Sequence, residues 1–283
     1  GFLHGPVMIT NTNSVGIVRD TTAEWMFRND YFYPFQVNGK DLKGMGCVYP
    51  VVGETYDGGL NNMNGFHVKR ENVLQALNGA KSGAITEGNV GGGTAMRCHG
   101  FKGGTGTSSR VLGAGDGGYT VGVLVQANHG TRKDLCIQGV SMAEIQGFEQ
   151  VNNTVAAVEG TGSVIVVIAT DAPLLPHQLA KLSRRPTIGI GRLGGGNASS
   201  SGDIFIAFST ANPDAFSYSY STVTFMNDDL VDPLFKAVAD ATEEAILNAL
   251  CAAETLVGID FNTTYALPTD QVIGILKRNG KID

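Results

Sequence analysis

Gly162-Ser163-Val164-Ile165-Val166-Val167-Ile168-Ala169-Thr170 is the stretch on which the fold turns. Val164 to Ala169 is an unbroken run of β-branched and small apolar residues, too short for the roughly 20 residues that span a bilayer and without polar alternation. Such a run predicts a strand buried on both faces. A strand of that kind needs cover on each side, which suits a sheet with helices on one face and another sheet on the other. Working outward, Pro6 to Thr12, Cys47 to Thr55, Tyr119 to Ala127 and Asp203 to Thr210 also read as strands, bounded by Gly, Asn or Asp. Helical spacing of apolar residues runs over His67 to Lys81, Pro173 to Arg185, Pro233 to Val257 and Thr269 to Asn279, with Gly258 placed as a C-terminal stop. The order predicts an α/β (α+β) chain built as one large domain, residues 1–283. The polar stretch Glu149 to Gly162 is the one segment loop-like enough to be cut.

Composition narrows the function. The 283 residues hold 39 Gly, about twice the usual share of roughly 7%, while charged residues are only 16% against a usual 25% or so. Apolar content argues against disorder, so the glycines serve tight backbone geometry. A surface so poor in charge points to a homo-oligomer. The net charge is -6 and there is no Lys/Arg-rich run beyond short stretches such as Ser183-Arg184-Arg185, so nucleic acid is not expected as a partner, and no segment suits a membrane. Cys47, Cys98, Cys136 and Cys251 are scattered, with no C-x-x-C and no His pair at ligand spacing; they read as buried free thiols, with no metal or cofactor expected. Gly113–Gly118 and Gly189–Gly194 fit G-x-G-x-x-G, but both read as preceding a strand rather than following one and opening a helix, so a dinucleotide site is not expected. Among His4, His67, His99, His129 and His177 none falls in a catalytic motif.

The Gly162-Ser163 junction offers chemistry that needs no histidine. Cutting that bond would give Ser163 a free α-amino group beside its hydroxyl. With a pKa of about 7.7 to 8.0 the amine would be about one-third unprotonated near pH 7.5, enough to act as the base for its own nucleophile. Glycine before the serine tolerates the backbone that brings the hydroxyl onto the preceding carbonyl. Ser201-Gly202-Asp203 could supply a hydroxyl backed by a carboxylate, Asn128 at a strand end an oxyanion donor, and Glu87 a carboxylate for a substrate amine. Alone, each also has an ordinary reading: a turn, a cap, a solvated acid.

Several longer motifs remove that ambiguity. Glu87 to Thr94, Phe101 to Gly104, Tyr119 to Asn128 and Ala169 to Leu179 resemble the DmpA-type aminopeptidases, the L-aminopeptidase D-amidase/D-esterases and β-peptidyl aminopeptidases. Ser201 to Phe205, Ala207 to Thr210 and Met8 to Thr12 extend the similarity over essentially the whole chain. The resemblance implies a four-layer αββα sandwich and self-cleavage at Gly162-Ser163 into a 1–162 α subunit and a 163–283 β subunit. It implies Ser163 as nucleophile, Ser201 and Asp203 as its support, Asn128 in the oxyanion hole, and Glu87 with His99 toward substrate. Some relatives have Glu in place of Asp203, and Tyr in place of His99. Substrates would be short peptides, amino-acid amides or esters, acted on without a cofactor by a tetramer of αβ units, cytoplasmic or periplasmic. The related ornithine acetyltransferases use Thr where this chain has Ser163, so acyl transfer is the second enzymatic reading, and an uncleaved, non-catalytic scaffold the third. Relatives also carry a further segment ahead of the position of Gly1.

Overall fold

The computed structural model describes residues 1–32, 35–148, 162–215 and 220–283. Two units are distinguished, Gly1–Glu54 with Asn62–Ala84, and Thr55–Asn61 with Ile85–Asp283. In the first, β1 (Val7–Asn11) pairs with β2 (Val51–Thr55), whose last residue opens the second unit. Helices α1 (Val15–Arg28) and α2 (Arg70–Gly79) pack through Val18, Val73 and Leu77, with Met8, Trp25 and Val52 against them. The sequence pattern did not reveal α1. Its Val15, Gly16, Ile17, Thr21 and Thr22 are weak helix formers, and tertiary packing overrides them.

The second unit carries the hairpin β3 (Arg97–Cys98) and β4 (Phe101–Lys102), and a four-stranded sheet. That sheet holds β5 (Gly104–Val111), β6 (Thr120–Asn128), β7 (Ser163–Thr170) and β8 (Ile204–Ser209), in the order β8-β7-β6-β5. β6 runs antiparallel to both β5 and β7, and β8 runs parallel to β7. Helices α3 (Pro176–Leu182), α4 (Pro186–Arg192), α5 (Asp232–Ala252) and α6 (Thr269–Arg278) complete the unit. The mixed α/β class expected from the sequence is thus observed.

Period-two alternation divides the sheet's faces. Val121, Val123, Val125 and Ala127 of β6 and Val164, Val166 and Ile168 of β7 are buried in one cluster with Leu234, Ala241, Ala245, Ile246 and Ala249 of α5. The helix lies so close to β5 that a Cβ on Gly106 would stand 1.9 Å from the Ala245 carbonyl oxygen and 2.6 Å from the Ala249 nitrogen. Only glycine on the strand and alanine on the helix permit this approach. It also explains why β5 escaped the sequence pattern: Gly104-Thr-Gly-Thr-Ser-Ser-Arg-Val111 carries almost no apolar signal, and pairing with β6 makes it a strand. The opposite face turns out Ile165, Val167 and Ala169 of β7 beside Gln126, Leu124 and Gly122 of β6, and ends in the pair Ser163–Asn128.

One motif reading is corrected here. Gly189-Ile190-Gly191-Arg192 does not precede a strand but forms the last turn of α4. A Cβ on Gly189 would come within 2.6 Å of the Ala239 oxygen, so this glycine serves helix–helix packing. The cysteines also divide: Cys98 is buried, Cys136 partly so, and Cys47 and Cys251 are exposed. No helix among the described residues is long and apolar enough to cross a membrane.

Candidate active site

Ser163 opens β7 directly opposite Asn128, which closes β6, so the antiparallel register alone sets the two side chains on one face at one sheet end. The Ser163 hydroxyl donates to the Gly162 carbonyl oxygen at 2.8 Å. The same oxygen accepts the Gly202 backbone N–H at 3.1 Å. A Cβ on Gly162 would press to 2.4 Å from the Asn128 carbonyl oxygen, and one on Gly202 to 3.2 Å from Ser163 Oγ. Glycine at 162 is therefore a matter of space, whereas a Cβ at 202 would make the Ser163 hydroxyl give by a few tenths of an ångström. The loop-like segment ahead of this bond, residues 149–161, lies outside the described residues.

The parallel pairing of β8 with β7 delivers Ser201-Gly202-Asp203 to the same end. Ser201 donates to Asp203 Oδ1 at 2.6 Å, the hydroxyl–carboxylate pair that the sequence suggested. Asn128, 7% exposed, is held at both ends of its amide. Its Oδ1 accepts the Arg97 N–H at 2.9 Å, and its Nδ2 donates to the Tyr56 carbonyl at 3.0 Å. An amide nitrogen has two hydrogens, so this arrangement commits one and orients the other.

Glu87 is not brought to this cluster. Its Oε1 accepts from both the backbone N–H and the hydroxyl of Thr107, each at 2.7 Å. Thr107 pairs with Leu124, which at about 3.3 Å per residue lies about 13 Å down β6 from Asn128, and β6 separates β5 from β7 by about 10 Å. His99 stands at the tip of the β3–β4 turn with φ 50°, followed by Gly100 at 70°, as a two-residue hairpin requires. Its ring is fully buried, Nδ1 meeting the Thr131 carbonyl at 3.2 Å and the ring edge-to-face with His129 at 5.3 Å. Burial holds its pKa below the usual imidazole value. Of the two readings of His99, substrate contact or packing, packing is the one this geometry displays.

Two groups around the site gave no sequence signal. Lys102 is fully buried, donating from Nζ to the Gly103 and Gly93 carbonyls at 2.8 and 3.2 Å, and burial pushes its pKa down to about 7. Cys98 and His99 meet His129, some thirty residues on in sequence, with one potential ligand atom of each within 4.8 Å of the others. Sequence spacing had shown no His pair near a cysteine because it takes the β3–β4 turn and the end of β6 to make one.

With this geometry in hand, comparison with known proteins is informative. The model of peptidase family S58 matches residues 1–264. The chain is 46% identical to the β-peptidyl aminopeptidase BapA of Sphingosinicella microcystinivorans over 98% of its length and 70% of that protein's. Among solved structures, the L-aminopeptidase D-Ala-esterase/amidase of Ochrobactrum anthropi is described as a prototype of the serine aminopeptidases and a variant of the Ntn-hydrolase fold. It superposes with a TM-score of 0.84 at 42% identity, over 97% of this chain and 74% of that one. A Burkholderia β-aminopeptidase gives 0.81 at 41% identity, over 100% and 76%. The family model spans the strand pair that sets Ser163 against Asn128, and the chain belongs to peptidase family S58, the serine aminopeptidases with an Ntn-hydrolase fold.

Proposed function

We propose that this chain cuts itself at Gly162-Ser163 and then works as an aminopeptidase and amidase through the new N-terminal Ser163. The observation that carries the reading is the double hydrogen bond on the Gly162 carbonyl oxygen, from Ser163 Oγ at 2.8 Å and Gly202 N–H at 3.1 Å. In the first step Oγ adds to the Gly162 carbonyl carbon and its proton passes to the departing Ser163 nitrogen, exchanging the amide for an ester. The Gly202 N–H stabilises the oxyanion formed on the way. Water then hydrolyses the ester, leaving 1–162 with a carboxylate and 163–283 with a free α-amine.

In turnover the α-amine takes the Ser163 hydroxyl proton as Oγ attacks the substrate carbonyl, and returns it to the leaving amine. The Ser201–Asp203 pair, next to Gly202, is placed to orient that amine. Asn128 Nδ2, already aligned by Tyr56 and Arg97, offers its second hydrogen to the oxyanion. Water deacylates the enzyme, with the α-amine as base. Substrates are short peptides, amides or esters with a free amino group, including β-residues on the evidence of the relatives' names. The sparse surface charge supports assembly as a homo-oligomer, the tetramer of αβ units, which analytical ultracentrifugation would read.

The test is Ser163→Ala. A purified variant that runs as one 283-residue band and hydrolyses neither an amino-acid amide nor a β-dipeptide is expected, against two bands and turnover for the parent. A cut variant, or one that keeps its activity, overturns the proposal.

A further inference from the structure

We propose that Cys98, His99 and His129 form a binding site for one borderline-soft divalent ion of the Zn2+ type, on the residues that directly follow Arg97 and Asn128. All three residues are buried, and Cys98 Sγ faces His129 Nδ1 at 3.9 Å. A tetrahedral zinc with Zn–S of about 2.3 Å and Zn–N of about 2.0 Å needs a sulfur–nitrogen separation of about 3.5 Å, so this pair must close by a few tenths of an ångström, and the His99 ligand atom, within 4.8 Å of the other two, by up to about 1.3 Å.

The surroundings suit a ligand as well. His99 meets a backbone carbonyl through Nδ1, and because a carbonyl only accepts, that nitrogen carries the proton and Nε2 presents a lone pair. This is the arrangement in which metal-binding imidazoles are held, the remote N–H anchored on a carbonyl. The lone pair at His99 Nε2 has no hydrogen-bond partner among the described residues, and neither has His129 Nε2. The unpartnered His99 Nε2 is costly to bury unless something occupies the space before it, while His129, ligating through Nδ1, would keep its proton on Nε2. The donor set, one thiolate and two imidazoles, selects for zinc, cobalt or copper over magnesium or calcium. Binding would displace the Cys98 proton, which passes to solvent, and leave the buried site with a net charge of +1.

The ion would act on the backbone that positions Asn128. His129 follows Asn128 directly, and Cys98 follows Arg97, whose N–H holds Asn128 Oδ1. Tying residues 98 and 129 to one centre fixes both ends of that hydrogen bond, so the site is a brace for the oxyanion donor, independent of whether Ser163 is processed.

The probe is Co2+, added to the chelator-treated full chain. One equivalent should bind with a thiolate-to-cobalt charge-transfer band in the near ultraviolet and intense d–d bands in the visible. Stoichiometric Zn2+ should bleach both and raise the melting temperature. Cys98→Ala and His99→Phe should each lose the charge-transfer band or weaken cobalt binding at least tenfold, whereas Cys47→Ser with Cys251→Ser should leave it unchanged. Absence of the band in the parent protein overturns the proposal without reliance on any variant folding. So does a band that survives Cys98→Ala or vanishes with the two exposed cysteines.

Discussion

Asn128→Asp separates the two chemical steps assigned to this site. The substitution keeps the side chain's shape, and one carboxylate oxygen can still accept the Arg97 N–H. The other replaces Nδ2, which donates to the Tyr56 carbonyl and is assigned to the substrate oxyanion. Two costs follow. Setting acceptor against acceptor in a position 7% exposed should destabilise the fold by about 1–3 kcal/mol. Losing one oxyanion donor should lower kcat by about 10²–10³, or about 3–4 kcal/mol in the transition state. Self-cleavage should be spared, because the Gly162 oxygen is held by Ser163 Oγ and Gly202 N–H rather than by Asn128. The assay pairs a denaturing gel with steady-state hydrolysis of an amino-acid amide, and circular dichroism checks the fold. A folded variant whose kcat falls less than tenfold, or one that stays uncut, refutes this division of labour.

The other expectations are simpler. Gly106→Ala forces a methyl group toward the Ala245 oxygen at 1.9 Å; the cost of about 3 kcal/mol should lower the melting temperature by about 5 °C, and an unchanged transition would show that α5 yields. Glu87→Ala should destabilise by about 1–3 kcal/mol by orphaning the Thr107 N–H, while KM for a substrate with a free amine stays within about twofold. A large rise in KM would instead return Glu87 to the substrate. Lys102 has its pKa pushed down to about 7 by burial, against about 10.4 unfolded, so above pH 7 the unfolded chain binds the extra proton and stability rises with pH. Between pH 7 and 9 the gain should be about 2 kcal/mol by urea denaturation, and Lys102→Met should flatten it; a parent protein with no such slope contradicts the burial argument.

Much of the site was legible because strand ends and glycines announce it. The run Val164–Ala169 fixed where β7 begins, so Ser163 fell at its first residue, and the end of the Tyr119–Ala127 pattern placed Asn128 opposite. Ser201 and Asp203 were readable from their spacing before Ile204. The surroundings of Glu87 were not legible because a carboxylate beside a glycine-rich loop says nothing about which strand the loop will edge; its bond to Thr107 depends on β5, a strand with almost no pattern of its own. Tyr56 and Arg97 were invisible since both serve Asn128 through backbone atoms, which carry no sequence signature. The Cys98–His99–His129 cluster needs a hairpin turn and a strand end to converge, and Lys102 is buried by contacts that no local pattern contains.

The register of β7 carries one more consequence. Ser163 to Thr170 is paired on one side with β6, which precedes the cut, and Ile165 to Thr170 on the other with β8, which follows it. Under the proposed cut at Gly162-Ser163, a central seam of the sheet would join two molecules, held among the described residues by hydrogen bonds and side-chain packing. The precursor folds with its two halves tethered, at an effective concentration that diffusion between separate fragments would not match. Unfolding after maturation discards that tether, so regain of structure becomes a second-order encounter that slows on dilution. A protein cut in this way would fold once, and its working lifetime would be governed by how slowly the seam opens rather than by how readily it re-forms.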